Sequence, residues 1–328
     1  MNPNNTADSA LSAVTPSIPR PPRRLGLYLS WGAVALGLMV WPLFYANTFV
    51  MTLATLVVLS GIGAVSLNLI IRTGHVSLAH AAFMGVGAYV CVLTQMRLGW
   101  SFPIALVAGC LASGLLALIV GPIVLRLTGK YFVLVTFLIG EIIRMVFVEW
   151  KSMTGGSNGI SNIPSIHPVF DSPVAFYYLA LFATAACIAI VWRILRCELG
   201  RAIDAMREAE RLAECSGIPV IRLKVAAFVI ACTLVAIQGA LQAHLLKFID
   251  PTAFSMEVSL NFVVMNVIGG MYHLVGPLIG TVFIVSLPEL LRGYVELQRV
   301  IFGIIIIIVM AALPGGIAGI VARLRKHA

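Results

Sequence analysis

Two oppositely charged residues stand in the middle of an apolar run. Glu141 and Arg144 interrupt residues 131–150, which are otherwise rich in Val, Leu, Ile and Phe. Residues three apart share a helix face and can form an ion pair. A charge at the centre of a bilayer costs about 2.5–3.5 kcal/mol on insertion scales, so such residues usually pair or face a wet cavity. The pair predicts either a structural link between two helices or the polar lining of a substrate path.

Uncharged polar side chains lie in other apolar runs. Asn68 is in one of them, and His80 is in G-H-V-S-L-A-H-A-A-F-M-G-V-G-A-Y at 74–89. Small residues recur there every four positions, at Ser77, Ala81 and Gly85. This spacing allows helices to pack closely in membranes. Each polar group predicts either a packing hydrogen bond or a place in a pathway. The same alternatives apply to Gln238, Asn261, Asn266 and Glu289.

A polar segment carries a second type of pattern. Residues 201–217 read R-A-I-D-A-M-R-E-A-E-R-L-A-E-C-S-G and predict one helix that ends at Gly217. Small or flexible residues follow helical spacing along it, at Ala202, Ala205, Met206, Ala209, Leu212, Ala213 and Ser216. Such a face can dock into a groove on another protein, or it can rest on lipid headgroups. The pattern alone favours neither.

The elements that position these groups follow from composition. The 328 residues are 60% hydrophobic and 11% charged, whereas soluble domains carry about 25% charged residues. We predict an all-α polytopic membrane protein with about ten transmembrane helices, some short or broken by glycine. Their runs are 27–45, 49–71, 76–96, 102–125, 131–150, 174–195, 225–247, 258–272, 274–291 and 297–313. Gly-punctuated stretches at 74–87 and 269–280 are typical of transporters built from internal repeats.

The basic residues indicate the orientation. With the N-terminus in the cytoplasm, the inside segments carry sixteen Lys and Arg residues and the outside segments carry five. The prediction is a disordered cytoplasmic tail at 1–24, a transmembrane region at 25–313 and a basic cytoplasmic tail at 314–328. Both termini are then cytoplasmic.

Several kinds of chemistry find no support in the sequence. The chain lacks the phosphate-binding pattern G-x-x-x-x-G-K-[ST], and H-E-x-x-H is also absent. None of its six cysteines is paired in the C-x-x-C spacing that is typical of metal or redox sites. The net charge of +9 falls in short clusters between apolar runs, which is unlike a nucleic-acid-binding face. We therefore predict no catalytic residues, no metal, no cofactor and no nucleic-acid partner.

Several stretches in order resemble the LivM-type permease subunit of ABC importers for branched-chain amino acids and related substrates. They are S-L-N-L-I at 66–70 with the segment 74–89, T-G-K-Y-F at 128–132, G-E-I-I-R at 140–144, T-G-G-S-N-G-I at 154–160, R-E-A-E-R-L-A-E-C-S-G-I at 207–218, D-P-T-A-F at 250–254 and I-G-G-M-Y-H-L-V-G-P-L-I-G at 268–280.

The resemblance implies a bacterial inner-membrane protein without its own ATPase site. Its expected partners are a homologous second permease, two ATP-binding subunits and a periplasmic substrate-binding protein. The helix at about 201–217 would be the coupling helix that docks on the ATPase, through Arg207, Glu208, Ala209, Glu210, Leu212, Ala213 and Gly217. Relatives carry branched-chain amino acids, urea, short amides or aromatic acids.

The resulting hypothesis is that four polar residues form a path between this chain and a partner permease: Asn68, His80, Glu141 and Arg144. One alternative is a secondary transporter that uses the intramembrane carboxylate of Glu141 or Glu289. Another is a membrane scaffold that carries no solute, which would leave the intramembrane charges unexplained.

Overall fold

The computed structural model describes residues 47–271 and 273–291, and residues 300, 301, 303, 304 and 307. Its helices are α1 (Thr48–Arg72), α2 (His80–Leu98), α3 (Phe102–Val124), α4 (Lys130–Glu149), α5 (Lys151–Thr154), α6 (Pro173–Arg196), α7 (Glu198–Glu208), α8 (Glu210–Cys215), α9 (Val220–Leu246), α10 (Met256–Gly269) and α11 (Gly276–Leu290). Short 3₁₀ turns cover Gly156–Asn158, Pro168–Asp171 and Pro251–Phe254. Two-residue strands β1 (Ile160–Ser161) and β2 (Phe248–Ile249) pair antiparallel.

Six of the helices are long and apolar enough to cross a bilayer, namely α1, α2, α3, α4, α6 and α9. Their 19 to 27 residues rise about 28–40 Å at 1.5 Å per residue, against a hydrocarbon core of about 30 Å. The all-α membrane architecture is thus confirmed. The predicted run 27–45, the tails 1–24 and 314–328, and nearly all of 297–313 lie outside the described residues, so the count of ten remains a prediction.

Two predicted spans are shorter in the structure than in the sequence pattern. The runs 258–272 and 274–291 become α10, with 14 residues, and α11, with 15. Each rises about 21–23 Å, which is less than a full crossing. For α10 the reason is local, because Gly270 has φ +112° and ends the helix before the predicted end at 272, although the helix begins at Met256, two residues before the predicted start.

Helix α9 is central, because it packs against α1, α2 and α3. By contrast, α4 is the least buried of the six long helices. Residues 73–79 form a non-helical segment that is mostly buried between α1 and α2. The hydroxyl of Thr136 accepts a hydrogen bond from the Leu78 N–H there, at 3.2 Å. Irregular backbone inside a membrane protein needs such partners, since lipid offers none.

Segments that the charge pattern assigns to the same side lie together. Arg97 donates to the carbonyl of Ser152, and β1 pairs with β2 at the predicted outer end. At the predicted inner end Arg72 pairs with Asp204, and Lys224 pairs with Glu210. This grouping is what alternate crossings of a membrane require.

The prediction of a single helix at 201–217 is wrong in one respect. The chain forms α7 and α8, which are separated at Ala209, where φ is −154° and ψ is 88°. The break turns the chain so that Ala213 packs with Val220 in a small apolar cluster and Glu210 reaches Lys224. The small-residue stripe is therefore divided: Met206 and Ala213 are buried, whereas Ala205, Ala209 and Leu212 are exposed.

Candidate functional site

Asn68 lies at the centre of a buried polar network. Its Nδ2 donates to Asn266 Oδ1 at 2.9 Å and to the carbonyl of Met271 at 2.6 Å. Its Oδ1 accepts from Arg72 Nε at 3.1 Å. The side chain is completely buried, so these bonds replace those that water would otherwise make. Asn68 thus joins the inner end of α1 to α10 and to the turn that follows α10.

Asn266 completes this network from the side of α10. Its Nδ2 donates to the carbonyls of Ala64 and Phe262, both at 2.9 Å. Every nitrogen and oxygen of the two buried amides therefore has a partner. The packing alternative accounts for both asparagines.

His80 begins α2 and contacts α1. Its Nε2 lies 2.8 Å from Ser66 Oγ, and the Ser66 hydroxyl donates to the carbonyl of Gly63 at 3.0 Å. A hydroxyl has one proton to donate, so His80 Nε2 is assigned as the N–H donor. His80 Nδ1 is then an acceptor, and it has no hydrogen-bond partner among the described residues. A fully buried, unpaired acceptor is unusual enough to require an explanation.

Glu141 and Arg144 form the predicted ion pair on α4. Arg144 Nε donates to Glu141 Oε2 at 2.9 Å, and Nη2 lies 2.8 Å from the same oxygen. The two side chains are 27% and 29% exposed, respectively. The pair therefore lies at the boundary of the exposed face of α4, where lipid, water or another subunit would meet it.

An open cavity of about 400 Å³ adjoins this strip of α4. Residues that recur at intervals of three or four along one side of α4 are Lys130, Leu134, Phe137, Glu141 and Arg144. The first three line the cavity, together with Val133, Leu78 from the buried segment and Met256 from the start of α10. The lining is mostly apolar, and Glu141 and Arg144 lie beyond Phe137 on the same side of α4, outside the lining. This side of α4, with the cavity and the ion pair, is called the groove on α4.

The structure separates the four predicted path residues into two places. Asn68 on α1 and His80 at the start of α2 are both fully buried, whereas Glu141 and Arg144 lie on α4 and are partly exposed. Within the described part of the chain, no hydrogen bond or ion pair joins the two places. If they act together, other groups must lie between them.

Sequence reasoning missed the role of Arg72, which it assigned to an inside loop. Arg72 is the last residue of α1, is 8% exposed and bridges Asn68 to Asp204, whose carboxylate lies 3.7 Å from Nη1. The spacing of four residues between Asn68 and Arg72 was the available signal, because it places both on one helix face.

A second inner ion pair was also missed. Lys224 is 2% exposed, and its ammonium lies 2.6 Å from Glu210. Glu210 therefore holds α8 against α9. Nearby, His75 Nδ1 donates to the carbonyl of Thr73 at 2.9 Å, and burial, reinforced by the charge of Lys224, lowers the pKa of His75 below its usual 6.5. His75 is therefore neutral at physiological pH.

One side of α7 and α8 packs against the rest of the chain, and the other side is exposed. Arg207, Glu208, Ala209 and Leu212 are exposed, and Leu212 is 67% exposed. Gly217 has φ +82° and caps α8. The Ile218 N–H donates to Ala213 and the Gly217 N–H to Glu214, which is the bonding pattern of a left-handed glycine cap.

The fold and these sites define the class of protein. It is a multi-pass helical membrane protein with buried polar groups and with an exposed, partly polar segment formed by α7 and α8. Residues 49–310 match the family described as branched-chain amino acid transport system, permease component. The chain belongs to this family, and it is therefore a permease subunit of a membrane transport system.

Named relatives agree with the family assignment. The chain is 28% identical over 306 residues to the high-affinity branched-chain amino acid transport system permease protein LivM of Salmonella typhimurium, covering 85% of this chain and 72% of the relative. The Escherichia coli LivM protein is 27% identical over the same lengths. The ribose import permease protein RbsC of Haemophilus influenzae is 26% identical over 263 residues, covering 76% of this chain and 79% of the relative. No solved structure matches the chain significantly.

Proposed function

We propose that this permease subunit moves branched-chain amino acids or related small zwitterionic substrates into the cytoplasm, driven by ATP hydrolysis on partner subunits. The complex would contain a homologous second permease, two ATP-binding subunits and a periplasmic substrate-binding protein in a bacterial inner membrane. Both termini of this chain would be cytoplasmic. The observation that carries the proposal is the exposed α7–α8 surface at the predicted inner end, in a chain whose family is that of such permeases.

The position of Glu141 and Arg144 supports a path along the exposed side of α4. The large exposed side chains of α3 are all apolar, among them Leu111, Leu115 and Ile119, as lipid contact requires. Next to the exposed residues of α4, in contrast, lies an ion pair, which would be costly against lipid. This difference favours α4 as the side that meets the partner permease, with the substrate passing between the two subunits.

The groove on α4 supports the proposed substrate class. An amino-acid zwitterion carries an ammonium and a carboxylate on the same carbon, which complements the adjacent carboxylate of Glu141 and guanidinium of Arg144. The apolar part of the groove, at Leu134 and Phe137, suits an aliphatic side chain.

A competition experiment tests the substrate class. Cells that depend on this transport system are expected to take up labelled leucine, and about a hundredfold excess of urea or acetamide should leave uptake unchanged, because neither carries a carboxylate for Arg144. Unlabelled isoleucine should compete. Inhibition by urea or acetamide, with none by isoleucine, would contradict the proposal.

Docking on the ATP-binding subunits is assigned to α7 and α8. We expect Leu212→Asp to reduce recovery of a P-loop ATPase with the tagged, detergent-solubilised chain by about tenfold or more, because an apolar side chain that anchors an interface contributes about 2 kcal/mol or more. The co-purified proteins are measured by quantitative mass spectrometry.

A matched control lies at the other end of the molecule. Val169→Asp places the same charge at a residue of similar exposure, 64%, in the predicted outer 3₁₀ turn. It should leave ATPase recovery unchanged. Equal recovery with both variants would remove α8 from the docking surface. If the wild-type chain is recovered without an ATPase yet transports in liposomes without ATP, a secondary transporter is the better answer.

A further inference from the structure

We infer that Asp204, Arg72 and Asn68 act as a polar relay that transmits movement of α7 to the α10–α11 hairpin, Met256–Leu290. The relay rests on the proposed function, since it requires an ATPase that displaces α7 and α8. The three are positioning residues, and none of them needs to touch the substrate.

The relay is a continuous series of contacts. Asp204 on α7 lies 3.7 Å from Arg72 Nη1, and Arg72 Nε donates to Asn68 at 3.1 Å. Asn68 then donates to Asn266 of α10 at 2.9 Å and to the carbonyl of Met271 in the turn at 2.6 Å. Four side chains thus connect the exposed inner segment to the hairpin, which lies almost 200 residues away in sequence from Asn68.

The two helices of the hairpin are tightly packed against each other. A Cβ at Gly269 would overlap the carbonyl of Gly276, and a Cβ at Gly280 would overlap the carbonyl of Met265. The backbones of α10 and α11 are therefore in direct contact, as small residues allow in membrane proteins. A displacement applied at the turn between them is carried along both helices.

The two ends of the relay differ in strength. Asn68 and Asn266 are fully buried, so breaking their bonds would leave unpaired polar groups at about 1–3 kcal/mol each. The Asp204 side chain is 47% exposed, and its Oδ1 lies 3.7 Å from Arg72 Nη1, which is beyond hydrogen-bond distance, so this contact is an ion pair without a hydrogen bond. The contact between Asp204 and Arg72 can therefore form and break during a cycle while the Asn68 end stays joined to the hairpin. Such an element with two arrangements is what a physical coupling requires.

Two substitutions cut the relay at different points. Asp204→Asn keeps the shape of the side chain and removes its charge, which weakens the contact to Arg72. Asn68→Asp keeps the acceptor for Arg72 and removes the amide that donates to Asn266 and Met271. Asp171→Asn is the control, because it neutralises an aspartate of similar exposure that pairs with Lys247 at the predicted outer end, away from the relay and from α7 and α8.

The readout is the accessibility of the hairpin turn. His273 is exposed in this turn, and His273→Cys is made in a chain whose exposed cysteines are replaced, Cys197→Ser and Cys215→Ser. The complete complex in inside-out vesicles is labelled with a membrane-impermeant maleimide, with ATP or with ADP. The parental and Asp171→Asn complexes should show a nucleotide-dependent change in labelling rate of about fivefold or more, at the lower end of typical coupling between sites. Asp204→Asn and Asn68→Asp should abolish it, while the ATPase stays bound and active.

Two outcomes would overturn the relay, and they are distinguishable. A normal nucleotide response in both Asp204→Asn and Asn68→Asp would overturn the relay alone and leave the proposed function intact. The absence of any response in the parental complex would overturn the relay together with the proposed coupling through α7 and α8.

Discussion

Replacing Glu141 and Arg144 together by alanine is expected to lower substrate uptake by about tenfold or more, with the chain still inserted in the membrane. A hydrogen bond to a charged group contributes about 1.5–3 kcal/mol, and about 1.4 kcal/mol corresponds to a factor of ten. The variant would lose one such contact to each charge of a zwitterion. Uptake by the assembled complex, normalised to the amount of membrane-embedded chain, measures the effect.

The chain offers a matched control for this pair. Asp171 and Lys247 form another ion pair, 3.8 Å apart, but both side chains are exposed at the predicted outer end. Asp171→Ala with Lys247→Ala should transport normally. Normal uptake by the Glu141→Ala/Arg144→Ala variant would remove α4 from the proposed path.

The single variants distinguish the path from a purely structural ion pair. Arg144→Ala leaves the Glu141 carboxylate without its partner, at a cost of about 2.5–3.5 kcal/mol if the site faces lipid. If the ion pair is purely structural, the amount of membrane-embedded chain should therefore be lower for the single variant than for the double variant. A path residue would make both variants equally poor in transport, at normal yield.

Gly217→Val is expected to lower ATP-driven uptake by about tenfold. Gly217 has φ +82°, and a β-branched residue in this region costs roughly 1–3 kcal/mol. A Cβ at this position would meet no atom within 4 Å, so the effect comes from backbone strain and not from a clash. Releasing the strain requires loss of the cap bonds to Ala213 and Glu214, which changes the direction of α8.

Gly99→Val applies the same strain at the predicted outer end of the molecule. Gly99 caps α2 with φ +64°, and a Cβ there would also meet no atom within 4 Å. This variant should couple ATP hydrolysis to uptake normally. Gly217→Asn should retain most of the uptake, since asparagine tolerates a left-handed backbone. Equal losses in Gly99→Val and Gly217→Val would indicate a general loss of stability instead of uncoupling.

The sequence predicted the long helices well, because a bilayer imposes a simple length rule on apolar segments. The run 49–71 became Thr48–Arg72, and 102–125 became Phe102–Val124. Gly217 was correctly predicted as a helix cap, since the requirement for a positive φ is local. The pairing of Glu141 with Arg144 was also predictable, because both lie on one turn of one helix.

Helix boundaries differ from the predicted ones where a tertiary contact satisfies a polar group, which the apolar pattern of the sequence does not reveal. Helix α2 begins at His80 and not at 76, because Thr136 satisfies the backbone of the preceding segment. Helix α9 begins at Val220 and not at 225, and it buries Lys224, because Glu210 supplies a countercharge. No rule based on apolar content alone predicts a buried lysine.

The sequence by itself thus determined the membrane class, the six long helices and the nearest-neighbour ion pair. Only the tertiary structure decided that Asn68 meets Asn266, that Asp204 meets Arg72 and that the helix at 201–217 breaks at Ala209. The physical reason is that burial in an apolar phase depends on the composition of each segment, whereas a polar group inside the bundle is fixed by whichever distant partner completes its hydrogen bonds.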